Sequence, residues 1–273
     1  MSSRAADLEA LHAIARDAAA VIARVYATDF AVDYKGPADP VTRADREAND
    51  LICARLAAAY PGVPIVAEES DPATFEGFHR AERAFFVDPL DGTLEFVAKN
   101  GQFAVMIGLV EAGRAVLGVV LAPATGIAWL GALGEGAWRV GASGERESVR
   151  VTQTARAEDA TVLVSRSHRG ARLSAVLDGL APREARPHGG AGLKGALVAA
   201  GDADVYLQPG RAGKRWDACA IDALVCAAGG RFTDAAGAAI DYTSGALDNA
   251  AGLVATNGLL HARVIEAIAA VGA

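Results

Sequence analysis

The chain has 273 residues, 52 % hydrophobic and 22 % charged, with a formal net charge of −7. That length supports a large core, as one big domain or two subdomains, and the composition excludes a disordered chain. An acidic balance with no basic run argues against a general affinity for nucleic acid, while a small anion could still bind at a local basic patch.

Three cysteines, Cys53, Cys219 and Cys226, form an odd set without metal-site spacing. They read as reduced, buried thiols, as expected for a cytoplasmic protein. The first residues lack a basic start followed by an apolar core, and no uninterrupted apolar run reaches the roughly 18 residues of a membrane span. Neither export nor membrane attachment is expected.

In chain order, Leu8, Leu11, Ile14, Ala15, Ala18, Val21, Ile22 and Val25 recur with a helical period, predicting an amphipathic helix over 4–26. The segment 28–40 loses that period, and its Lys35-Gly36-Pro37-Ala38-Asp39-Pro40 has the composition of a mobile loop. A second helix opens with Thr42 as N-cap and stops at Pro61-Gly62. Asp45 falls in its first turn, where the helix dipole tolerates a negative charge. Ile65-Val66-Ala67 reads as a short buried strand ending in Glu68-Glu69, adjacent acids that point to different sides.

Ala84-Phe85-Phe86-Val87 is a second buried strand, and it delivers Asp88-Pro89-Leu90-Asp91-Gly92-Thr93 at its end. Pro and Gly impose a tight bend there, which can aim two carboxylates and an intervening carbonyl at one point. Such an oxygen set suits Mg2+. Runs at 103–110, 115–122 and 127–131, separated by short turns, predict an antiparallel meander extended by a strand pair near 136–140 and 148–151. Beyond about residue 155, strands at 161–165, 204–207 and 253–256 alternate with helices at 170–180, 192–200, 216–228 and 259–271. Two helices with an antiparallel sheet, followed by a mixed α/β half, describe an α+β layered sandwich divided into subdomains 1–155 and 156–273.

Four acidic sites thus stand at the ends of regular elements: Asp45, Glu68 or Glu69, the Asp88/Asp91 turn, and Asp217 after Trp216. Together with their flanking residues they resemble the inositol monophosphatase-like, lithium-sensitive, Mg2+-dependent phosphatases. The matching pieces are Asp39-Pro40-Val41-Thr42-Arg43-Ala44-Asp45, Ala67-Glu68-Glu69-Ser70, Asp88 to Thr93, and Trp216-Asp217-Ala218-Cys219-Ala220. The resemblance spans nearly the whole chain and implies a layered αβαβα sandwich. It implies two or three Mg2+ ions held by Glu68, Asp88, the Leu90 carbonyl, Asp91 and Asp217. Thr93 would hold the attacking water, Asp45 would orient Thr93 and share in deprotonation, and Glu69 would be a support residue. Amides at the Asp91-Gly92-Thr93 turn would hold the phosphate.

Within that superfamily the chain looks most like the 3'(2'),5'-bisphosphate nucleotidases, through Asp88 to Phe96 followed by Asn100-Gly101-Gln102-Phe103, Val164-Ser165-Arg166-Ser167-His168, and Gly190-Ala191-Gly192-Leu193-Lys194. Inositol phosphatases carry a sugar-gripping Glu where this chain has Gly210, which is followed here by Arg211, Lys214 and Arg215. A basic cluster suits a second phosphate, as an acid suits hydroxyls. Lys194 and His168 are further candidates for substrate contact, and Asp217 would serve both metal and substrate. Two departures from the branch are Ala191-Gly192, where hydroxyl residues are usual, and Leu94, where Lys is usual. The expectation is a small phosphorylated substrate, adenosine bisphosphate, handled by a monomer or homodimer. An inositol, fructose 1,6-bisphosphate or histidinol phosphate phosphatase, or a non-catalytic regulatory homologue, are the alternatives.

Overall fold

The computed structural model describes residues 3–36, 39–166 and 170–272. The chain begins with α1 (Arg4–Tyr26), whose N-cap Ser3 accepts from the Ala6 amide, then forms β1 (Val32–Gly36), β2 (Asp39–Thr42) and α2 (Arg43–Ala59). Next come β3 (Ile65–Ala67), β4 (Arg83–Asp91), the one-turn α3 (Thr93–Val97), β5 (Ala104–Glu111), β6 (Arg114–Ala122), β7 (Ile127–Ala132), β8 (Gly136–Val140) and β9 (Arg146–Val149). The second half runs through β10 (Thr161–Ser165), α4 (Ala171–Leu180), β11 (Glu184–His188), α5 (Ala191–Ala199) and β12 (Val205–Gln208). It closes with α6 (Arg215–Ala227), β13 (Arg231–Thr233), β14 (Leu253–Thr256) and α7 (His261–Ala270).

A seven-stranded sheet runs in the order β3-β4-β5-β6-β7-β8-β9, and a five-stranded sheet in the order β11-β10-β12-β14-β13. The first is the expected meander with one exception, since β3 lies parallel to β4. Period-two alternation sorts its side chains. Phe85, Val87, Val105 and Ile107 pack with α1 and α2, while Phe86, Met106 and Val120 pack with α5 and α6. The five-stranded sheet presents Leu163, Tyr206 and Ala255 to that same middle helix layer, and Val162, Val205 and Val254 to α4 and α7. The result is helix, sheet, helix, sheet, helix, the layering that the resemblance implies.

How closely α6 sits on the first sheet is decided by three glycines. Gly108, Gly118 and Gly131 are direct register partners across β5, β6 and β7. A Cβ on Gly108 would lie 2.5 Å from the Cys219 sulfur, one on Gly131 2.5 Å from the Leu224 Cα, and one on Gly118 would collide with the Ala220 carbonyl. The stripe is a groove cut for the helix that carries Asp217.

Two expectations change. Residues 28–40, read as a loop, contain β1 and the start of β2, which pair antiparallel, Val32 with Thr42 and Tyr34 with Pro40. β11 and β13 also escape the sequence pattern, being respectively an edge strand containing Pro187 and only three residues long. The cysteines are free thiols, and only Cys219 is fully buried. No helix among the described residues is long and apolar enough to cross a membrane.

Candidate active site

The end of β4 breaks register with β5 between Asp88 and Asp91, so the ladder opens where the two acids stand. Asp88 accepts the Leu90 amide at 3.0 Å, closing a local turn. Gly92 then takes φ of +90°, and a Cβ there would press on the Gln102 carbonyl at 3.1 Å. This bend starts α3 and aims Thr93 back toward α2.

Asp45 is divided between two tasks. One carboxylate oxygen accepts from the Thr42 amide at 2.7 Å and the Thr42 hydroxyl at 2.6 Å, which caps α2. The other accepts from the Thr93 hydroxyl at 3.0 Å. The plain capping role and the role toward Thr93 are therefore carried by one side chain. Burial pushes the Asp45 pKa up, against the opposing pull of its hydrogen bonds from Thr42 and Thr93.

Asp88, Asp91 and Asp217 each offer a carboxylate oxygen within 4.8 Å of the others. Asp217 stands in the first turn of α6, where it accepts the Lys214 amide at 2.7 Å. Asp91 reaches across to the start of α5 and accepts from the amides of Ala191 at 3.0 Å and Gly192 at 2.7 Å. The trio is thus assembled from the first sheet and the helix layer packed against it. Burial, followed by the charges of Glu68 and Asp91, holds Asp88 and Asp217 well above the usual carboxylate range. Three crowded carboxylates, two of them buried, form a stable arrangement when a cation neutralises them, and an all-oxygen donor set selects a hard divalent one. The residues present fit Mg2+.

Glu68 lines the same cleft but is otherwise engaged. Lys35, on β1, places its ammonium 2.9 Å from Glu68 and 2.7 Å from Glu69. Both acids of the pair therefore face one cation, against the expectation that they point to different sides. Lys35 carried no sequence signal, because its partners lie 33 and 34 residues away.

The expected basic cluster divides. Arg211 lines the cleft and pairs with Asp248 at 2.8 Å. Arg215 turns away, donating to the Asp241 carbonyl at 3.0 Å and to Asn249, and Lys214 lies 5.0 Å over the Trp216 ring. Neither of these two is part of the cleft wall, because the loop through 241–249 and the Trp216 ring hold them outside it. Lys194 does line the cleft, although its ammonium donates to the Gly190 carbonyl and rests 5.0 Å over Tyr206. Burial lowers its pKa to about 8, against the opposing charges of Asp91, Glu95 and Asp217. His168 lies outside the described residues.

The inositol monophosphatase family model matches residues 4–273. The chain belongs to the inositol monophosphatase family. It is 37 % identical over 238 residues to the 3'(2'),5'-bisphosphate nucleotidase CysQ of Salmonella typhimurium, covering 86 % of this chain and 94 % of that one. It is 34 % identical to a histidinol-phosphatase of Mycobacterium tuberculosis, over 89 % of each chain. The fold superimposes on the inositol monophosphatase of Thermotoga maritima with a TM-score of 0.82 at 27 % identity, covering 98 % of both chains. The acids that define the cleft thus sit in a family scaffold matched from end to end.

Proposed function

We propose that the chain is a Mg2+-dependent phosphomonoesterase that removes the 3'(2')-phosphate from adenosine 3'(2'),5'-bisphosphate. The observation that carries the reading is the trio of Asp88 and Asp91, both buried, with the half-buried Asp217, opening onto the same cleft as Thr93, which donates to Asp45. Intact carboxylates at all these positions weigh against a non-catalytic homologue. The choice of substrate leans on the likeness to the Salmonella nucleotidase.

Asp88, Asp91, Asp217, Glu68 and the Leu90 carbonyl would hold two or three Mg2+ ions. Bound Mg2+ supplies charge neutralisation and Lewis acidity at the phosphate oxygens. The Thr93 hydroxyl donates its hydrogen bond to Asp45 and so turns a lone pair toward the attacking water. Asp45, poised by burial to take up a proton, accepts the one that water releases. The water oxygen bonds to phosphorus as the ester bond breaks, and the leaving alkoxide takes a proton from water in the open cleft, to which Asp45 returns the one it took up. The turn at Gly92 and Thr93 holds the phosphate through its amides, Asp217 stands beside the leaving alcohol, and Arg211 meets the second phosphate once Asp248 releases it. Lys194 acts on the substrate indirectly, by bracing the Gly190 turn.

Phosphate release with Mg2+ over adenosine 3',5'-bisphosphate, inositol monophosphate, fructose 1,6-bisphosphate and histidinol phosphate tests the reading. The bisphosphorylated nucleotide should give the highest kcat/KM, with inhibition by Li+. Turnover of none of them would overturn the enzymatic reading. Preference for histidinol phosphate would favour the function named for the Mycobacterium relative.

A further inference from the structure

Three parallel strands of the second sheet end at the cleft. β11 and β10 are in register with His188 opposite Ser165, and β10 runs parallel to β12 with Leu163 opposite Tyr206. Continuing that register by two residues brings Gln208 beside Ser165, on the face that Leu163 and Tyr206 share. His188, Ser165 and Gln208 thus stand at the carboxyl ends of adjacent parallel strands, where open α/β sheets bind ligands.

Gln208 differs from the other polar groups of this cleft. Its Oε1 is buried and has no hydrogen-bond partner among the described residues. Its backbone is fixed, because Gln208 pairs with Leu253 on β14 and a Cβ on Gly252 would strike the Gln208 carbonyl. A buried acceptor left without a donor is unfavourable, and a bound ligand with a donor removes that cost. The cleft, about 380 Å3 in volume, is lined by the Asp trio and Thr93 on one side and by Ser165, Tyr206 and Gln208 on the other. The phosphate chemistry belongs to the first side. The second is left for the alcohol from which the phosphate is removed.

We propose that Gln208 is the specificity-determining contact to that alcohol, accepting a hydrogen bond from a neutral donor on it. The proposal rests on the nucleotidase reading above and adds how the site recognises the nucleoside. An uncharged acceptor does this without repelling a second phosphate, as a carboxylate would. Gly210, two residues on, has no side chain with which to compete. In adenosine 3',5'-bisphosphate two groups can supply the donor, the ribose 2'-hydroxyl and the 6-amino group of the base.

The test compares kcat/KM for adenosine 3',5'-bisphosphate, its 2'-deoxy analogue and the purine riboside 3',5'-bisphosphate that lacks the amine. In wild-type enzyme one of the two analogues should fall about tenfold, mainly in KM, and which one falls identifies the donor. In Gln208→Leu that fall should disappear, while Gln208→Glu, which keeps the acceptor, should restore it with a higher KM for every substrate. Gln208→Met repeats the comparison should the branched side chain prevent folding. Neither apolar variant should melt below wild type, since each removes an unpaired buried acceptor, whereas a purely structural glutamine would show a lower Tm. Equal ratios in wild type and Gln208→Leu overturn the assignment. Failure of wild type to hydrolyse any of the three nucleotides, with activity on inositol monophosphate instead, overturns the nucleotidase reading and this assignment with it.

Discussion

The Lys35 ammonium stands 2.9 Å from Glu68 and 2.7 Å from Glu69, so a strand of the β1–β2 hairpin supplies a cation to two acids at the rim of the metal cleft. Burial opposes its charge, but the two carboxylates more than offset burial and raise its pKa. A metal ion seeking Glu68 must displace this ammonium. Lys35→Met should therefore tighten divalent-cation binding at that position by roughly three- to tenfold, in line with about 1 kcal/mol for a partly exposed ion pair. Isothermal titration with Mg2+ and Mn2+ checks it, and unchanged affinities would show that Lys35 does not compete.

Asp91→Asn should abolish most phosphatase activity, by two orders of magnitude or more, because it removes one member of the carboxylate trio. The same change relieves like-charge crowding and keeps one acceptor for the Ala191 and Gly192 amides. The metal-free variant should thus melt no lower than metal-free wild type, and should lose the rise in Tm that Mg2+ gives wild type.

Thr93→Val should cost on the order of a hundredfold in kcat with little change in Tm, because Thr93 shares Asp45 with a cap that stays intact. Thr93→Ser should retain most of the rate. Equal rates for Val and Ser variants would remove the hydroxyl from the reaction.

The pH dependence of stability follows from the trio. Burial raises the folded-state pKa values of Asp88 and Asp217 well above 3.8, so the folded state binds protons that the unfolded chain has released. That contribution to stability is complete below the unfolded value near 3.8 and is lost as pH rises through the folded values. Metal-free protein should accordingly melt higher at pH 5.5 than at pH 7.5. Saturating Mg2+ should shrink or reverse the difference, since the ion replaces the protons; calorimetry with and without chelator reads both.

Gly118→Ala should destabilise the protein by about 1–3 kcal/mol, through the collision of its Cβ with the Ala220 carbonyl. Chemical denaturation checks the size, and Gly134→Ala, which meets nothing within 4 Å although its φ is positive, gives the cost of conformation alone.

Much of this was legible in the chain because the signals were local. The 3.6-residue period marked α1, Thr42 marked the start of α2, and the Pro-Gly bend between Asp88 and Thr93 marked the turn that the site is built on. What escaped was non-local or belonged to edges. A Lys-Gly-Pro-Ala stretch reads as a loop, because the pairing of β1 with β2 leaves most of β1 exposed and so writes no hydrophobic alternation. Arg215 looked equivalent to Arg211, because nothing near it in sequence shows that Asp241 and Asn249, 26 and 34 residues later, claim its guanidinium. Gln208 gave no signal either, since an unpaired amide is visible only once its surroundings are closed.

The glycine stripe under α6 bears on which parts of the site can move. Backbone lies against side chain and backbone with no room for a methyl group, so α6 cannot slide or rock on the first sheet without leaving its groove. Asp217 is then a fixed post relative to Asp88 and Asp91, which the first sheet carries. The β1 and β2 strands hold to the cleft by a different kind of contact, the pairing of Lys35 with Glu68 and Glu69. Amide exchange in α6 should therefore be unchanged by Mg2+ and product, while exchange in residues 32–36 and 39–42 should respond to both.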